Sequence, residues 1–302
     1  MSARERSVLH VLPHAGGGGD TYVDLLSDMP GYRFERVYVT PERKPGATEV
    51  AKGALDLRRV VHGYDVLHVH GEGVAAMFLP IVAARRSVAT LHGLHLVRRL
   101  GGLRRNAAAL NLRAVLRAAS RTICVSNAER ETLASVVGSS ISRAVVVHNG
   151  ARVAPETSVE ERARARAELG VAESEPVGIW VGSLDERRDP LAVARAAVGT
   201  ATSLLFVGDG PLRADVERAA NAHVRVLGKR RDVARLLAAA DFFVLMSQRE
   251  GFSFAVLEAM AHGLPAIVAD IPENVEAIDR RITFLKSVGL RLGVYGGSTT
   301  SS

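Results

Sequence analysis

Two glutamates eight positions apart, Glu250 and Glu258, bracket the run Gly251-Phe-Ser-Phe-Ala-Val-Leu. The apolar pattern after Ser253 places a helix over 255–261, with Ser253 as its N-cap. The preceding run 242–246 reads as a buried strand. The backbone amides of Gly251, Phe252 and Ser253 are then unpaired donors at a helix N-terminus, a setting suited to an oxygen-rich anion. Gly251 lets a ligand come close to the backbone. Glu250, just before the helix, can reach a sugar hydroxyl. Glu258, about a turn and a half in, can accept from ribose hydroxyls. Taken alone, two acidic residues at this spacing read better as a solvated helix face.

Three further groupings carry chemistry. Gly16-Gly17-Gly18-Gly19 follows the first strand, a placement that suits phosphate approach or a plain flexible loop. It lacks the dinucleotide fingerprint, because no acidic residue stands at a matching later strand end. His68 and His70 alternate along one strand. No cysteine or carboxylate is spaced to complete a metal site with them, so packing is the simpler reading and no metal is expected. His92 stands at a strand end, where a satisfied structural histidine is the ordinary finding.

The elements that must position these residues alternate strongly. Short Val/Ile/Leu runs at 7–13, 33–40, 65–70, 87–92, 121–126 and 144–148 read as buried parallel strands. Helical stretches such as 21–26 and 128–136 lie between them. The segment 151–157, with Pro155, has no apolar periodicity and reads as a linker. A charged helix over 158–169, stopped by Gly170, opens a second series of strands and helices that runs to 266–269. The expected fold is α/β, with two Rossmann-like doubly wound domains facing across a cleft. Residues 1–151 form the first domain and 152–302 the second. Ligands in such sheets bind at the carboxyl ends of the strands.

Composition limits the alternatives. The 302 residues are 47% apolar, enough for two cores. A single cysteine, Cys124, excludes an intrachain disulfide framework and suits a reducing compartment. No secretory leader or membrane span is evident, so the expected location is cytoplasmic, with peripheral attachment to the inner face of a membrane as an option. The net charge of +7 sits in the first half, where 20 Lys+Arg face 12 Asp+Glu. The stretch Leu96–Ser120 interleaves Arg98, Arg99, Arg104, Arg105, Arg113 and Arg117 with leucines. It reads either as a surface for an anionic membrane or as an ordinary helix whose leucines face the sheet. Nucleic acid is not an expected partner, since no aromatic residues interleave with the charges and no recognition motif is present.

The run 228–270, from Gly228-Lys-Arg-Arg-Asp through Glu250–Glu258 to Ala259-Met-Ala-His-Gly-Leu-Pro, closely resembles the retaining glycosyltransferases of family 4, which have the GT-B fold. Val207-Gly-Asp-Gly-Pro, His148-Asn-Gly150, Asp65-Val-Leu-His-Val-His-Gly71 and Thr90-Leu-His-Gly93 are similar to that family's other landmarks, in the same order. The positive charge of the first half points to a lipid-linked or anionic acceptor, as in cell-envelope polysaccharide or glycolipid assembly. The resemblance implies a nucleoside-diphosphate-sugar donor and a hydroxyl acceptor, with 1–151 as the acceptor-side domain and 152–302 as the nucleotide-sugar domain. It implies that no cofactor or metal is needed. It assigns Glu258 to the ribose and Glu250 with the amides of Gly251, Phe252 and Ser253 to the transferred sugar. It puts His92 across the cleft near the sugar and acceptor, and Gly16, Gly17 and Gly18 at the diphosphate.

Two departures stand out. The family's Arg and Lys that hold the diphosphate correspond to Ser183 and Arg188. Arg188 keeps a cation able to bind phosphate in bidentate fashion, and Arg187 is available beside it. Ser183 offers only a hydroxyl, and losing one such cation costs on the order of 3 kcal/mol in the transition state. Beyond Ile278 the chain no longer matches the family, so a truncated second domain is expected. A donor-binding remnant without turnover, or a partner of another transferase, is the alternative reading. A GT-B sugar-nucleotide epimerase shares the fold but not the run 228–270.

Overall fold

The computed structural model describes residues 4–39, 47–220 and 223–287. Of the tail from Asp279 that the sequence reading left unmatched, residues 288 onward lie outside them. The first half contains β1 (Arg6–Leu12), α1 (Gly18–Leu26), β2 (Tyr32–Tyr38), α2 (Ala47–Val60), β3 (Val66–His70), α3 (Glu72–Met77) and α4 (Leu79–Ala84). It continues with β4 (Ser87–Thr90), α5 (Gly102–Ala118), β5 (Arg121–Cys124), α6 (Asn127–Val137) and β6 (Ala144–Val146). The second half contains α7 (Val159–Glu168), β7 (Val177–Val181), α8 (Pro190–Ala197), β8 (Ser203–Val207), α9 (Arg213–Ala219) and β9 (Val224–Gly228). Then follow α10 (Val233–Ala239), β10 (Phe242–Leu245), α11 (Phe254–Ala261), β11 (Ala266–Val268) and α12 (Pro272–Ser287).

Every strand pair is parallel. The strands form a six-stranded sheet in the order β2-β1-β3-β4-β5-β6 and a five-stranded sheet in the order β11-β10-β7-β8-β9. These are the two doubly wound domains that the alternation predicts. In each sheet the winding reverses at one place, between β1 and β3 and between β7 and β10. Crossovers leave in opposite directions there and open a crevice at the carboxyl ends of the strands. Gly16–Gly19 follow β1, Ser183–Arg188 follow β7 and Glu250 follows β10, so the candidate residues stand at the two crevices.

Several strands end earlier than their apolar runs suggest, for local reasons. β4 stops at Thr90 because His92 takes a left-handed backbone, φ 59°, which no strand admits. β5 stops at Cys124 because Ser126 N-caps α6, its side chain accepting from the Glu129 amide at 3.0 Å. The glycine run is not all loop. Gly16 and Gly17 are left-handed, but Gly18 and Gly19 form the first turn of α1. The charged helix α7 starts with a complete capping box between Ser158 and Glu161. Asp279 and the residues to Ser287, which the sequence pattern left unassigned, continue α12.

The second domain has one continuous core in which Trp180, Phe206 and Phe243 are fully buried. The first has two core clusters whose strand residues lie on the same face of its sheet: Val11, Val69 and Ala89 of one are in register with Thr122 and with Ala144 of the other. The domains also touch. Glu276 on α12 accepts from the amides of Asn127 at 2.9 Å and Ala128 at 3.1 Å, satisfying orphan donors at the start of α6. His148 meets the same carboxylate at 2.6 Å. Among the described residues no helix is long and apolar enough to cross a membrane.

Phe206 packs against Trp180 with ring centroids 5.4 Å apart. Phe206→Ala is therefore expected to cost about 3–5 kcal/mol in urea unfolding. A loss below about 1 kcal/mol would place the aromatic pair outside the core.

Candidate functional site

The turn after β10 ends on a buried charge. Glu250 is 4% exposed. Its carboxylate meets Arg187 at 3.1 Å and Arg188 at 3.7 Å, and Ser247 donates to it at 2.8 Å. Burial alone would push this carboxyl up. Arg188 and Arg187, with Ser247, instead hold it below its ordinary value, so it is ionised. Both arginines come from the turn after β7, the neighbouring strand across the switch point. Arg187 also donates to the Arg249 carbonyl and lies 3.8 Å from Asp185. Arg188 donates to the Val181 carbonyl at 3.3 Å and lies over Gly182, where a Cβ would stand 2.2 Å from the guanidinium. The residue types at 182, 187, 188 and 250 thus depend on one another.

Gly251 brings the first domain to this point. A Cβ there would stand 2.9 Å from the Gly93 nitrogen and from the His92 carbonyl carbon. Asn149, in the interdomain Asn-Gly, donates to the Phe252 carbonyl at 2.7 Å. Among the described residues the amides of Gly251, Phe252 and Ser253 have no hydrogen-bond partner in the protein. Ser253 takes the N-cap position of α11 with an extended backbone, but its hydroxyl makes no capping bond and is buried without a partner. The expected side-chain cap is absent, because the hydroxyl does not reach a helix amide. One turn into α11 stands Glu258. It is half-buried, its carboxyl is raised by burial, and among the described residues it has no partner.

The N-terminus of α1 faces that of α11, with a Cβ on Gly18 falling 3.2 Å from the Phe254 ring. Two helix N-termini therefore converge. Gly16 does not join them as an open donor. Its amide is taken by the Asp20 carboxylate, which Arg36 and Tyr38 also hold at 3.0 and 2.7 Å. Gly17 and Gly18 keep free amides among the described residues. Ser183, one turn from Arg188, is exposed and makes no ion pair.

His92 sits in a loop clamped by two buried carboxylates. Glu129 accepts from the amides of Gly93 and Val125, and Glu72 accepts from those of Leu96 and Val97. Burial pushes Glu129 up to about 7. His92 itself is lowered to about 4 by burial and then by His95. His95 is lowered to about 4 by burial and then by Arg187. Both imidazoles are neutral near pH 7.

Behind His92 lies a grouping that the sequence pattern could not show. His10 on β1 pairs in register with His68 on β3, so their rings are neighbours on one sheet face. His10 and His70 are joined at 2.8 Å, His70 and His92 at 2.9 Å, and His68 contacts the Thr90 hydroxyl at 2.7 Å. Tyr22 of α1 covers them edge-on. The partner missing from the His68/His70 pair is another histidine, from a strand that is distant in sequence. Burial, followed by Arg36, lowers His10 to about 4.

Of the residues named from the sequence, the structure sets Glu250, Arg187, Arg188, Gly251, Phe252, Ser253, Glu258, His92, Gly17 and Gly18 around the two crevices, while Gly16 gives its amide to Asp20 and Ser183 stands exposed. The sequence reading missed His10, His95 and Glu129, whose roles depend on strand register and loop packing. It also misplaced Arg98. This residue of the basic segment bonds Glu273 at 2.6 Å, Thr132 at 2.8 Å and the Glu250 carbonyl at 3.4 Å, clamping the two domains together. Arg113 likewise bonds the carbonyls of Val136 and Val137. On α5, Leu112, Val115 and Leu116 are buried, while Leu103 and Leu110 remain exposed beside Arg104 and Arg105.

Comparison with known proteins agrees with this fold. Residues 10–154 match the Glycosyltransferase Family 4 model, and residues 175–287 match the model for Glycosyl transferases group 1. The chain is similar to the N-acetyl-alpha-D-glucosaminyl L-malate synthase of Bacillus anthracis, with 35% identity over 43% of this chain and 36% of that protein. It is also similar to the UDP-Gal:alpha-D-GlcNAc-diphosphoundecaprenol alpha-1,3-galactosyltransferase of Escherichia coli, with 30% identity over 51% of this chain and 44% of that one. The matched stretch thus spans less than half the length of these relatives. Among solved structures, Anabaena Alr3699/HepE in complex with UDP and glucose superposes with a TM-score of 0.73 at 19% identity, over 90% of this chain and 82% of that one. Sucrose-phosphate synthase from Thermosynechococcus elongatus gives 0.69 at 19% identity, over 93% and 90%. These likenesses establish the fold.

The buried imidazoles set a pH dependence of stability. His10 is neutral in the folded chain down to about pH 4, whereas the unfolded chain protonates it near 6.5. The unfolded state therefore binds more protons below 6.5, and stability falls as pH drops from 6.5 toward 4. Replacing His10 by Phe removes this component. Between pH 7.5 and 4.5 the wild type should lose about 2–3 kcal/mol more than His10→Phe in urea unfolding. Parallel pH profiles would show that His10 is not buried neutral.

Proposed function

Since the chain belongs to the family 4 glycosyltransferases and has their GT-B fold, we propose that it moves a sugar from a nucleoside diphosphate to a hydroxyl acceptor with retention at the anomeric carbon. The observation that carries this reading is the convergence of two helix N-termini, with free amides at Gly17, Gly18, Gly251, Phe252 and Ser253, beside Arg187 and Arg188. Glu250 and Asp185 hold the two guanidiniums in place. Amides and guanidiniums gathered in this way suit an anion with several oxygens, and a diphosphate leaving group develops its charge there.

In this reading Glu258, half-buried and unpartnered, accepts from the ribose hydroxyls. Glu250 and the free amides of Gly251, Phe252 and Ser253 hold the sugar. Arg188 and Arg187 hold the diphosphate, together with the amides of Gly17 and Gly18. Gly16 is left out because Asp20 occupies its amide. His92 faces the sugar from the first domain. The bond from the anomeric carbon to the diphosphate breaks as the bond to the acceptor oxygen forms on the same face. The acceptor proton passes to the departing phosphate oxygen, so no separate base is required. No resident metal or cofactor enters this scheme. UDP is the first nucleotide to try, because Alr3699/HepE is described in complex with UDP and glucose.

A hydroxyl carried by a lipid-linked carrier is the acceptor class we favour. The E. coli relative is named for a diphosphoundecaprenol-linked acceptor. The exposed Leu103, Leu110 and Arg117, seven residues apart on α5, offer an apolar and basic outer row that suits the inner face of an anionic membrane. On these grounds we favour a cell-envelope polysaccharide or glycolipid role over a soluble acceptor. Ser183 supports a second reading, donor binding without turnover, since an exposed hydroxyl stands where a cation would stabilise the leaving group.

Thermal unfolding with UDP, GDP and ADP in turn tests the donor site. At about a hundred times its dissociation constant one nucleotide should add about 2.7 kcal/mol, and Glu258→Ala should abolish the shift. No shift with any nucleotide would remove the donor site from this position. For turnover, Arg188→Ala should lower kcat by about 10²–10³-fold. Equal rates would show that Arg188 does not meet the leaving group, and binding without wild-type turnover would favour the second reading.

A further inference from the structure

The histidines behind His92 form a directed chain. The rings of His10, His70 and His92 are linked through Nδ1 of His10 to Nε2 of His70, and through Nδ1 of His70 to Nε2 of His92. Each link holds one proton, and each neutral imidazole carries only one. The three rings must therefore all be Nδ1–H or all be Nε2–H.

The buried end decides between these two states. Nε2 of His10 is sealed from solvent and has no hydrogen-bond partner. In the Nε2–H state this end would be an orphaned N–H inside the core. In the Nδ1–H state it is only a bare lone pair. Orphaned buried N–H groups are the rarer and costlier of the two. The protons therefore sit on Nδ1 of His10, of His70 and of His92.

The same imidazoles, His10, His68 and His70, have donor atoms within 4.8 Å of one another, close enough to raise the question of a metal ion. Their orientation answers it. Both nitrogens of His70 are engaged in the chain, and Nε2 of His68 is engaged with Thr90. The rings of His68 and His70 stack at 4.2 Å with 24° between planes, so the in-plane lone pairs of these two rings run side by side and do not converge on one point. His10 meets His70 edge to edge through the bond between them.

We propose that His70 is a positioning residue for His92: together with His10 it fixes His92 as the Nδ1–H tautomer. The ring then offers the sugar or acceptor one N–H donor and no lone pair. The inference rests on the transferase reading for its consequence, but not for the tautomer itself. The partner of one ring nitrogen sets the state of the other. Here that setting reaches the cleft from the core through two strands and a loop. The loop side is fixed separately, by Glu129 on the Gly93 amide and Glu72 on those of Leu96 and Val97.

The test is long-range 1H–15N correlation on the full chain with 15N-labelled histidine at pH 7.5, with His92 assigned by loss of its signals in His92→Gln. The expected spectrum shows a protonated Nδ1 and a bare Nε2 at His92. A protonated Nε2 would overturn the proposal. His10→Phe removes the end that sets the direction and should give mixed tautomers at His92; an unchanged spectrum would overturn it. In turnover, His70→Phe should lower kcat on the order of 10–100-fold with little change in KM for the donor. His70→Asn, whose amide nitrogen stands where Nδ1 stood, should recover most of the loss. Equal kcat in wild type and His70→Phe would overturn the positioning role. Added Zn2+ that binds stoichiometrically and moves the signals of His10, His68 and His70 together would show a metal site instead. If the wild type shows no turnover with any donor, the transferase reading fails, while the wild-type spectrum still decides the tautomer.

Discussion

A carboxylate that is almost wholly buried cannot remain ionised without cations beside it, and Glu250 is such a carboxylate. Its requirement organises the second domain's end of the site. Arg187 and Arg188 must come from the turn after β7, so β7 and β10 must be neighbours. Position 182 must be glycine to leave room for the guanidinium of Arg188. Gly251 follows directly and touches the backbone of His92 and Gly93, so the same turn that carries the charge also sets the approach of the first domain. One buried charge thus links sheet order, two turns and the interdomain contact.

The opposite side of the cleft is built on neutrality. His10, His68, His70, His92 and His95 are kept uncharged by burial. Their rings are joined mostly to one another instead of to acids. The carboxylates nearby, Glu129 and Glu72, spend their oxygens on backbone amides of the loop. A neutral, hydrogen-bonded wall facing one of arginines and free helix amides is a suitable setting for a ligand with hydroxyls at one end and a diphosphate at the other. The domains are held at this spacing by Arg98 with Glu273, and by Glu276 with the start of α6.

Much of this was legible in the sequence, and the reasons differ by element. Buried parallel strands give continuous apolar runs, so all eleven were visible apart from their last residues. Those ends depend on side chains beyond the run, such as the Ser126 cap and the left-handed His92. The Glu250–Glu258 segment was legible because strand, turn and helix fall within about twenty residues. The histidine chain was not, since His10 and His70 lie sixty positions apart and meet only through the β1–β3 register. Arg98 illustrates the reverse error. Charge periodicity cannot distinguish an arginine facing a membrane from one inserted between domains, because both alternate with leucine.

The central claim is that one ligand is held by both domains at once, between the start of α1 and the start of α11. Hydrogen–deuterium exchange of the full chain, with and without UDP-glucose at saturating concentration, measures this directly. The account predicts that peptides covering 16–20 and 250–256 slow together when the ligand is added. Slowing in neither, or in the second domain alone, would contradict a site shared across the cleft.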